Sequence, residues 1–180
     1  VELVVRSSLS FEEGTVVKEA CKMEKMLISG VAGDDEIARV SIIGLKDTPG
    51  KAFDIFSTFA KKNINVDIIL QSIGRDGTKD ISFTVADTAL ADVKEVIAQN
   101  IDRWGAKTVD YNEDLAKVSI VGAGMAANSG VAAKMFEAMF NSNINIHMIS
   151  TSEIKISVLI DKKDMHKAMN AIHDIFNLAD

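Results

Sequence analysis

The sequence predicts an α+β protein built from two interleaved βαββαβ units, each an antiparallel sheet with its helices on one face. Three observations carry this expectation. The stretch Ala38-Arg39-Val40-Ser41-Ile42-Ile43-Gly44 returns 78 positions later as Ala116-Lys117-Val118-Ser119-Ile120-Val121-Gly122. In both copies the apolar period switches between two and 3.6 in the same order, the mark of one supersecondary unit used twice. The second copy also stops before its last strand, while a short apolar segment with no other obvious role precedes the first copy.

Each element follows in chain order. A β-branched run, Val40–Ile43 in copy one and Val118–Val121 in copy two, opens the unit and enters a glycine-containing turn. Apolar residues then recur at helical spacing: Ala52, Phe56, Phe59 and Ala60, matched by Ala132, Met135, Phe136 and Met139. The pairs Phe56/Phe136 and Asn63-Ile64-Asn65-Val66/Asn143-Ile144-Asn145-Ile146 keep an offset of 80. A second strand is expected over 65–73 and 145–152, and a third over 81–85 and 154–160, with Gly74-Arg75-Asp76-Gly77 turning the chain in copy one. An amphipathic helix closes the run, through Leu90, Val93, Ile97 and Ile101 or Met165, Met169, Ile172 and Phe176.

Copy one continues into a fourth strand, 106–111, whereas copy two ends at Asp180. The segment 26–31 stands before copy one as 106–111 stands before copy two, so it is expected to donate the missing strand. This places one domain at 37–113, a second at 24–34 plus 115–180, and a linker at 1–23.

Composition narrows the function classes. Of 180 residues 47% are hydrophobic, with one Pro and 11 Gly, which excludes a disordered or low-complexity chain. Twenty Lys and Arg against 26 Asp and Glu give a net charge of −6, the wrong sign for a nucleic-acid or anionic-membrane binder. Cys21 stands alone, so no intrachain disulfide forms, and a reducing cytoplasmic setting fits. No apolar run reaches the ~18 residues that span a bilayer. The lack of an initiator Met reads as a fragment or a processed start.

Several motifs resolve to structure rather than chemistry. Gly122-Ala123-Gly124-Met125-Ala126-Ala127 imitates a dinucleotide fingerprint, but copy one has Gly44-Leu45-Lys46 there and no acid closes the next strand, so these glycines serve a tight turn. Single-stranded RNA binders of βαββαβ plan stack bases on central-strand aromatics, and only Phe83 stands there. His147, His166 and His173 form no catalytic or zinc constellation, and His166 and His173 are expected to be solvated. The eight Met fall mostly at helical core spacing.

Asp47-Thr48-Pro49-Gly50-Lys51-Ala52 is different. Thr48 suits a helix cap, Pro49 the first helical position, and Gly50 a close approach to the backbone. The N–H groups of Gly50, Lys51 and Ala52 then face outward at a helix N-terminus and suit a carboxylate, while Asp47 suits an ammonium. Together they read as a receptor for a zwitterion, with Gln71 and Asp67 as supporting polar groups; a plain capped helix beside an exposed acid is the competing reading.

These motifs, with Asn65-Val66-Asp67-Ile68-Ile69-Leu70-Gln71, Lys117-Val118-Ser119-Ile120-Val121-Gly122-Ala123-Gly124-Met125 and Ile149-Ser150-Thr151-Ser152-Glu153-Ile154-Lys155-Ile156-Ser157, make the chain resemble the regulatory half of aspartate kinase, with its paired ferredoxin-like ACT domains. Arg6-Ser7-Ser8 and Gly14-Thr15 resemble the link out of its kinase domain, whose Lys-Phe-Gly-Gly-Thr-Ser motif is not present. The resemblance implies a cytoplasmic sensor that binds threonine, lysine or both and feedback-inhibits phosphorylation of aspartate by ATP. It implies no cofactor, no catalysis by this chain alone, a homodimer through the ACT domains, and a partner kinase domain or catalytic subunit. The inhibitor residues it implies are Asp47, Gly50, Lys51, Ala52, Asn65, Val66, Asp67 and Gln71 from copy one, and Val131, Ala132, Asn145, Ile146 and Ser152 from copy two. Copy two departs from the pattern by reading Asn128-Ser129-Gly130 without the acid. A free-standing tandem ACT sensor serving a different enzyme is the alternative.

Overall fold

The structure is a computed structural model that describes residues 3–5, 15–17, 28–72, 77–122, 125 and 128–178. Two short strands, β1 (Leu3–Val5) and β2 (Thr15–Val17), pair antiparallel near the start of the chain. The body follows as β3 (Gly30–Lys46), α1 (Lys51–Lys61), β4 (Ile69–Gln71), β5 (Thr78–Ala86), α2 (Leu90–Trp104), β6 (Thr108–Val121), α3 (Val131–Asn141), β7 (Met148–Thr151), β8 (Lys155–Asp161) and α4 (Met165–Phe176). The expected link motif at 6–8, Gly14, Cys21, residues 24–27, the turn at 74–76 and Gly124 lie outside the described residues.

The strands of the two units form one six-stranded antiparallel sheet in the order β4-β5-β3-β6-β8-β7. Its two central strands belong to both units. Residues 37–43 of β3 pair with 108–115 of β6, and residues 30–34 pair with 117–121. The interleaving therefore takes the form of two strands running straight through. Register shifts between Asp34 and Ile37, and between Ile37 and Arg39, mark where one unit passes into the next. They are needed because the helix-facing positions are odd at Val31 and Gly33 but even at Ala38, Val40 and Ile42; an irregularity restores the side without breaking the strand.

Each unit buries its own core under its own helices. The first packs Val40, Ile42, Ile81 and Phe83 against Ile55 and Phe59 of α1 and Val93, Ile97 and Trp104 of α2. Phe59 sits 5.2 Å from Phe83 and 5.9 Å from Trp104, centroid to centroid, in tilted pairs. The second packs Val118, Ile120, Val158 and Ile160 against Met135 and Met139 of α3 and Ala168 and Ile172 of α4. Gly33 is bare because a Cβ there would stand 2.5 Å from the sulfur of Met169 and 3.0 Å from that of Met165, so β3 approaches α4 closely.

On the face without helices, Ile37, Ile68, Leu115, Met148 and Leu159 form a third, smaller cluster shared by both units. The duplication is visible there too. Ser41 bonds Ser82 at 2.8 Å, and their counterparts Ser119 and Ser157 bond at 2.8 Å. Lys117 of β6 reaches Asp67, just before the edge strand β4, at 2.7 Å, so the sheet curls toward this face.

Three local expectations are corrected. α1 begins at Lys51, with Gly50 as its N-cap at φ 89° and no side-chain cap, so Thr48 is not the cap and Pro49 is not the first helical residue. A left-handed residue cannot lie inside the helix, and it excludes everything before it. The second strands are shorter than expected, 69–71 and 148–151. Before β4 the hydroxyl of Thr84 accepts the Ile68 N–H at 3.0 Å, taking the place of a ladder carbonyl. His173 is half-buried rather than solvated.

Candidate functional site

The turn between β3 and α1 walls a cleft of about 270 Å³. Leu45 and Lys46 end β3, Asp47, Thr48, Pro49 and Gly50 form the turn, and Lys51 and Ala52 begin α1; Gln71 of β4 and Lys79 and Ile81 of β5 close the other side. Lys79 faces the cleft because it pairs in register with Leu45, beyond the shift in register between Ile42 and Leu45. Two backbone bonds hold the turn: Asp47 N–H to the Gly77 carbonyl at 3.0 Å and Thr48 N–H to the Lys46 carbonyl at 2.9 Å.

The cleft is polarised. With no side-chain cap on α1, the first-turn N–H groups lack an intrahelical acceptor and carry the positive end of the helix dipole. The Asp47 carboxylate is half-exposed and pairs with the Lys79 ammonium at 2.7 Å. Lys51 lies in the wall, but its ammonium donates to the Trp104 carbonyl at the end of α2, 2.8 Å away. Gln71 offers an amide from the edge strand, and Ile81 and Leu45 give a small apolar floor.

Five of the residues proposed from the sequence meet here: Asp47, Gly50, Lys51, Ala52 and Gln71. The others lie elsewhere in the chain. Asn65 is exposed, and Val66 packs against the first core. Asp67 bonds Lys117, which also holds Asp34 at 3.1 Å; this hydrogen bond is the main reason the Asp67 carboxyl is held below the usual carboxylate range. In copy two, Val131 is buried in its core, Ala132 and Ile146 pack against that core, Asn145 is exposed, and Ser152 makes a turn with Lys155.

Copy two repeats the frame without the charges. α3 also starts on a left-handed glycine, Gly130 at φ 95°, without a side-chain cap. The repeat and the strand register place Thr151 where copy one has Gln71, and Ile154 where it has Lys79. Lys79 is the residue that sequence reasoning missed. Its signal was the alternation of β5, but choosing its partner required the register past an irregularity in β3.

Among the described residues no cluster of His, Cys, Asp and Glu suits a metal ion, and no helix is long and apolar enough to cross a membrane.

Two βαββα units side by side on shared strands, each with a glycine-started helix, define a tandem α+β module of duplicated design. Comparison with known proteins agrees. A family model described as "ACT domain" matches residues 40–101 and 118–176. A curated relative, the aspartokinase of Helicobacter pylori (strain ATCC 700392 / 26695), is 45% identical over 183 residues, covering 99% of this chain and 45% of its own. A solved structure of aspartokinase alpha and beta subunits superposes with a TM-score of 0.78 at 44% identity, covering 84% of this chain and 99% of the matched one. The ligand-free regulatory subunit of aspartate kinase from Thermus thermophilus does so with a TM-score of 0.78 at 36% identity, covering 83% and 99%. The chain belongs to the ACT-domain family and, within it, to the regulatory part of the aspartokinases. It spans about 45% of the length of the curated relative.

Proposed function

We propose that this chain is the allosteric sensor of an aspartate kinase, binding threonine, lysine or both and lowering phosphorylation of aspartate by ATP in an attached or partnered kinase domain. The observation that carries this reading is the meeting of Asp47, Gln71 and the uncapped start of α1 in one cleft. An α-amino acid has the matching pair of charges. Its carboxylate accepts from the first-turn N–H groups, and its ammonium lies on Asp47. Gln71 reads the side chain.

Control of the kinase then requires that the ligand bind one arrangement of the assembly more tightly than another. In this reading the assembly is a homodimer, and the predicted residues outside the cleft meet it only across that dimer. The chain itself holds no phosphate-cradling loop and calls for no cofactor.

The test is an aspartyl-hydroxamate assay on the kinase portion with and without this chain. The chain alone is expected to give no turnover. With the kinase present, threonine, lysine or the two together are expected to inhibit, and Asp47→Ala is expected to relieve that inhibition. No inhibition by threonine, lysine or the two together, or inhibition that survives Asp47→Ala undiminished, sinks the proposal.

A further inference from the structure

The pair formed by Asp47 and Lys79 bears on which amino acid the cleft accepts. The Lys79 ammonium, 2.7 Å from the Asp47 carboxylate, occupies the place where a ligand's ammonium would sit. The chain thus supplies its own substitute ligand. Lys79 is only partly exposed, and Lys46 stands beside it in the wall. Lys51 is spent on the Trp104 carbonyl. Among the described residues, Asp47 is the one acid lining the cleft; the nearby Asp80 is turned away, accepting the Gly44 N–H at 2.8 Å.

We infer that Lys79 is a specificity-determining residue: it admits an amino acid with a neutral side chain and rejects one whose side chain carries a second positive charge. The inference rests on the reading of the cleft as an amino-acid receptor. An incoming α-ammonium exchanges with Lys79 on Asp47, and the released Lys79 then faces the bound molecule. A neutral side chain meets Gln71, Ile81 and Leu45 without penalty. Among the described residues, a basic side chain finds two lysines and no second carboxylate. Two like charges about 5 Å apart at a protein surface repel strongly enough to change affinity about tenfold or more.

The internal repeat supports this assignment. Copy two keeps the glycine-started helix but has Ile154 in the position of Lys79 and no acid in Asn128-Ser129-Gly130. The acid and the lysine are present together in one copy and absent together from the other. A lone surface lysine would not need to track the acid in this way. Ile154, exposed to 58%, shows that the position tolerates an apolar residue, so replacing Lys79 does not threaten the fold.

The experiment is titration calorimetry of the chain with L-threonine and with L-lysine, on wild type, Lys79→Met, Lys79→Glu and Asp47→Ala. Wild type is expected to prefer threonine over lysine by at least about tenfold. Lys79→Glu is expected to shift that ratio at least tenfold toward lysine, with Lys79→Met between the two. A preference that stays unchanged in both Lys79 variants, while Asp47→Ala abolishes binding, overturns the role of Lys79 and leaves the receptor reading standing. If wild type binds neither amino acid, or Asp47→Ala binds as wild type does, the receptor reading itself falls and this inference with it.

Discussion

At the scale of single residues, Asp47 and Gln71 differ in what their loss leaves behind. In the proposed receptor, Asp47→Ala removes a charge-assisted bond to the ligand ammonium and is expected to cost roughly 1.5 to 3 kcal/mol, or about 10- to 150-fold in affinity. Gln71→Ala removes one neutral hydrogen bond and is expected to cost about 0.5 to 1.5 kcal/mol. Neither change should unfold the chain, since the Asp47–Lys79 pair is half-exposed and such pairs contribute about 0 to 1 kcal/mol. Calorimetric titration with thermal melts of the free proteins checks both statements. Equal binding by wild type and Asp47→Ala would reduce Asp47 to an exposed acid next to a helix. The residues from Asp47 to Ala52 were legible in the sequence because they are contiguous and their types have local meanings. Lys79 was not: its place depends on a strand pairing that no local pattern announces.

At the scale of elements, the two glycine-started helices give a comparison inside one chain. Gly50 and Gly130 have almost the same backbone, φ 89° and 95°, and a Cβ on either would meet nothing within 4 Å. The cost of Gly→Ala at each is therefore backbone strain alone, about 1 to 2 kcal/mol. Gly50→Ala and Gly130→Ala are expected to lose similar stability by urea unfolding. Only Gly50→Ala is expected also to weaken amino-acid binding, because it displaces the N–H groups proposed to hold the carboxylate. Weakened binding in Gly130→Ala alone would move the receptor to copy two. The same comparison shows why the helix start was misread from sequence. Thr-Pro-Gly is compatible both with a Thr cap and with a glycine cap, and the left-handed turn at Gly50 decides between them. The ends were better marked: Asn63, Gly105, Asn143 and Asn177 all adopt positive φ after their helices, where Asn and Gly are favoured.

At the scale of the whole molecule, the repeat announced two units, but not that their sheets are one or that an ion pair ties the units across the face without helices. That tie is made by Lys117, whose side chain is 16% exposed and lies between Asp34 and Asp67. Burial pushes the Lys117 ammonium down, yet the hydrogen bonds to Asp67 and Asp34 outweigh it and leave the group raised. Asp67 is lowered, chiefly by the same bond from Lys117. The signs then follow. The lowered carboxyl stabilises the fold at pH values above its unfolded range and loses that contribution as pH falls through about 4 and below. The raised ammonium contributes below its unfolded value of about 10.4 and loses its share as pH climbs past that point. Stability from this clasp is thus flat from mildly acidic to mildly basic pH and falls at both ends. Because Asp67 is about half-exposed, its share is about 0.5 to 1 kcal/mol. Asp67→Asn is expected to lower stability by that amount at pH 7, and its gap to wild type is expected to narrow as pH falls below about 4 toward the lowered range of the wild-type carboxyl. Lys117→Met should remove the acid-side fall contributed by Asp67 and also cost more at pH 7, since it leaves two carboxylates facing each other. Urea unfolding at pH 3, 5, 7 and 9 measures all three proteins. If the gap between Asp67→Asn and wild type is the same at pH 3 as at pH 7, the pair does not clasp the two units in solution, and the apolar cluster of Ile37, Ile68, Leu115, Met148 and Leu159 must hold the curled sheet by itself.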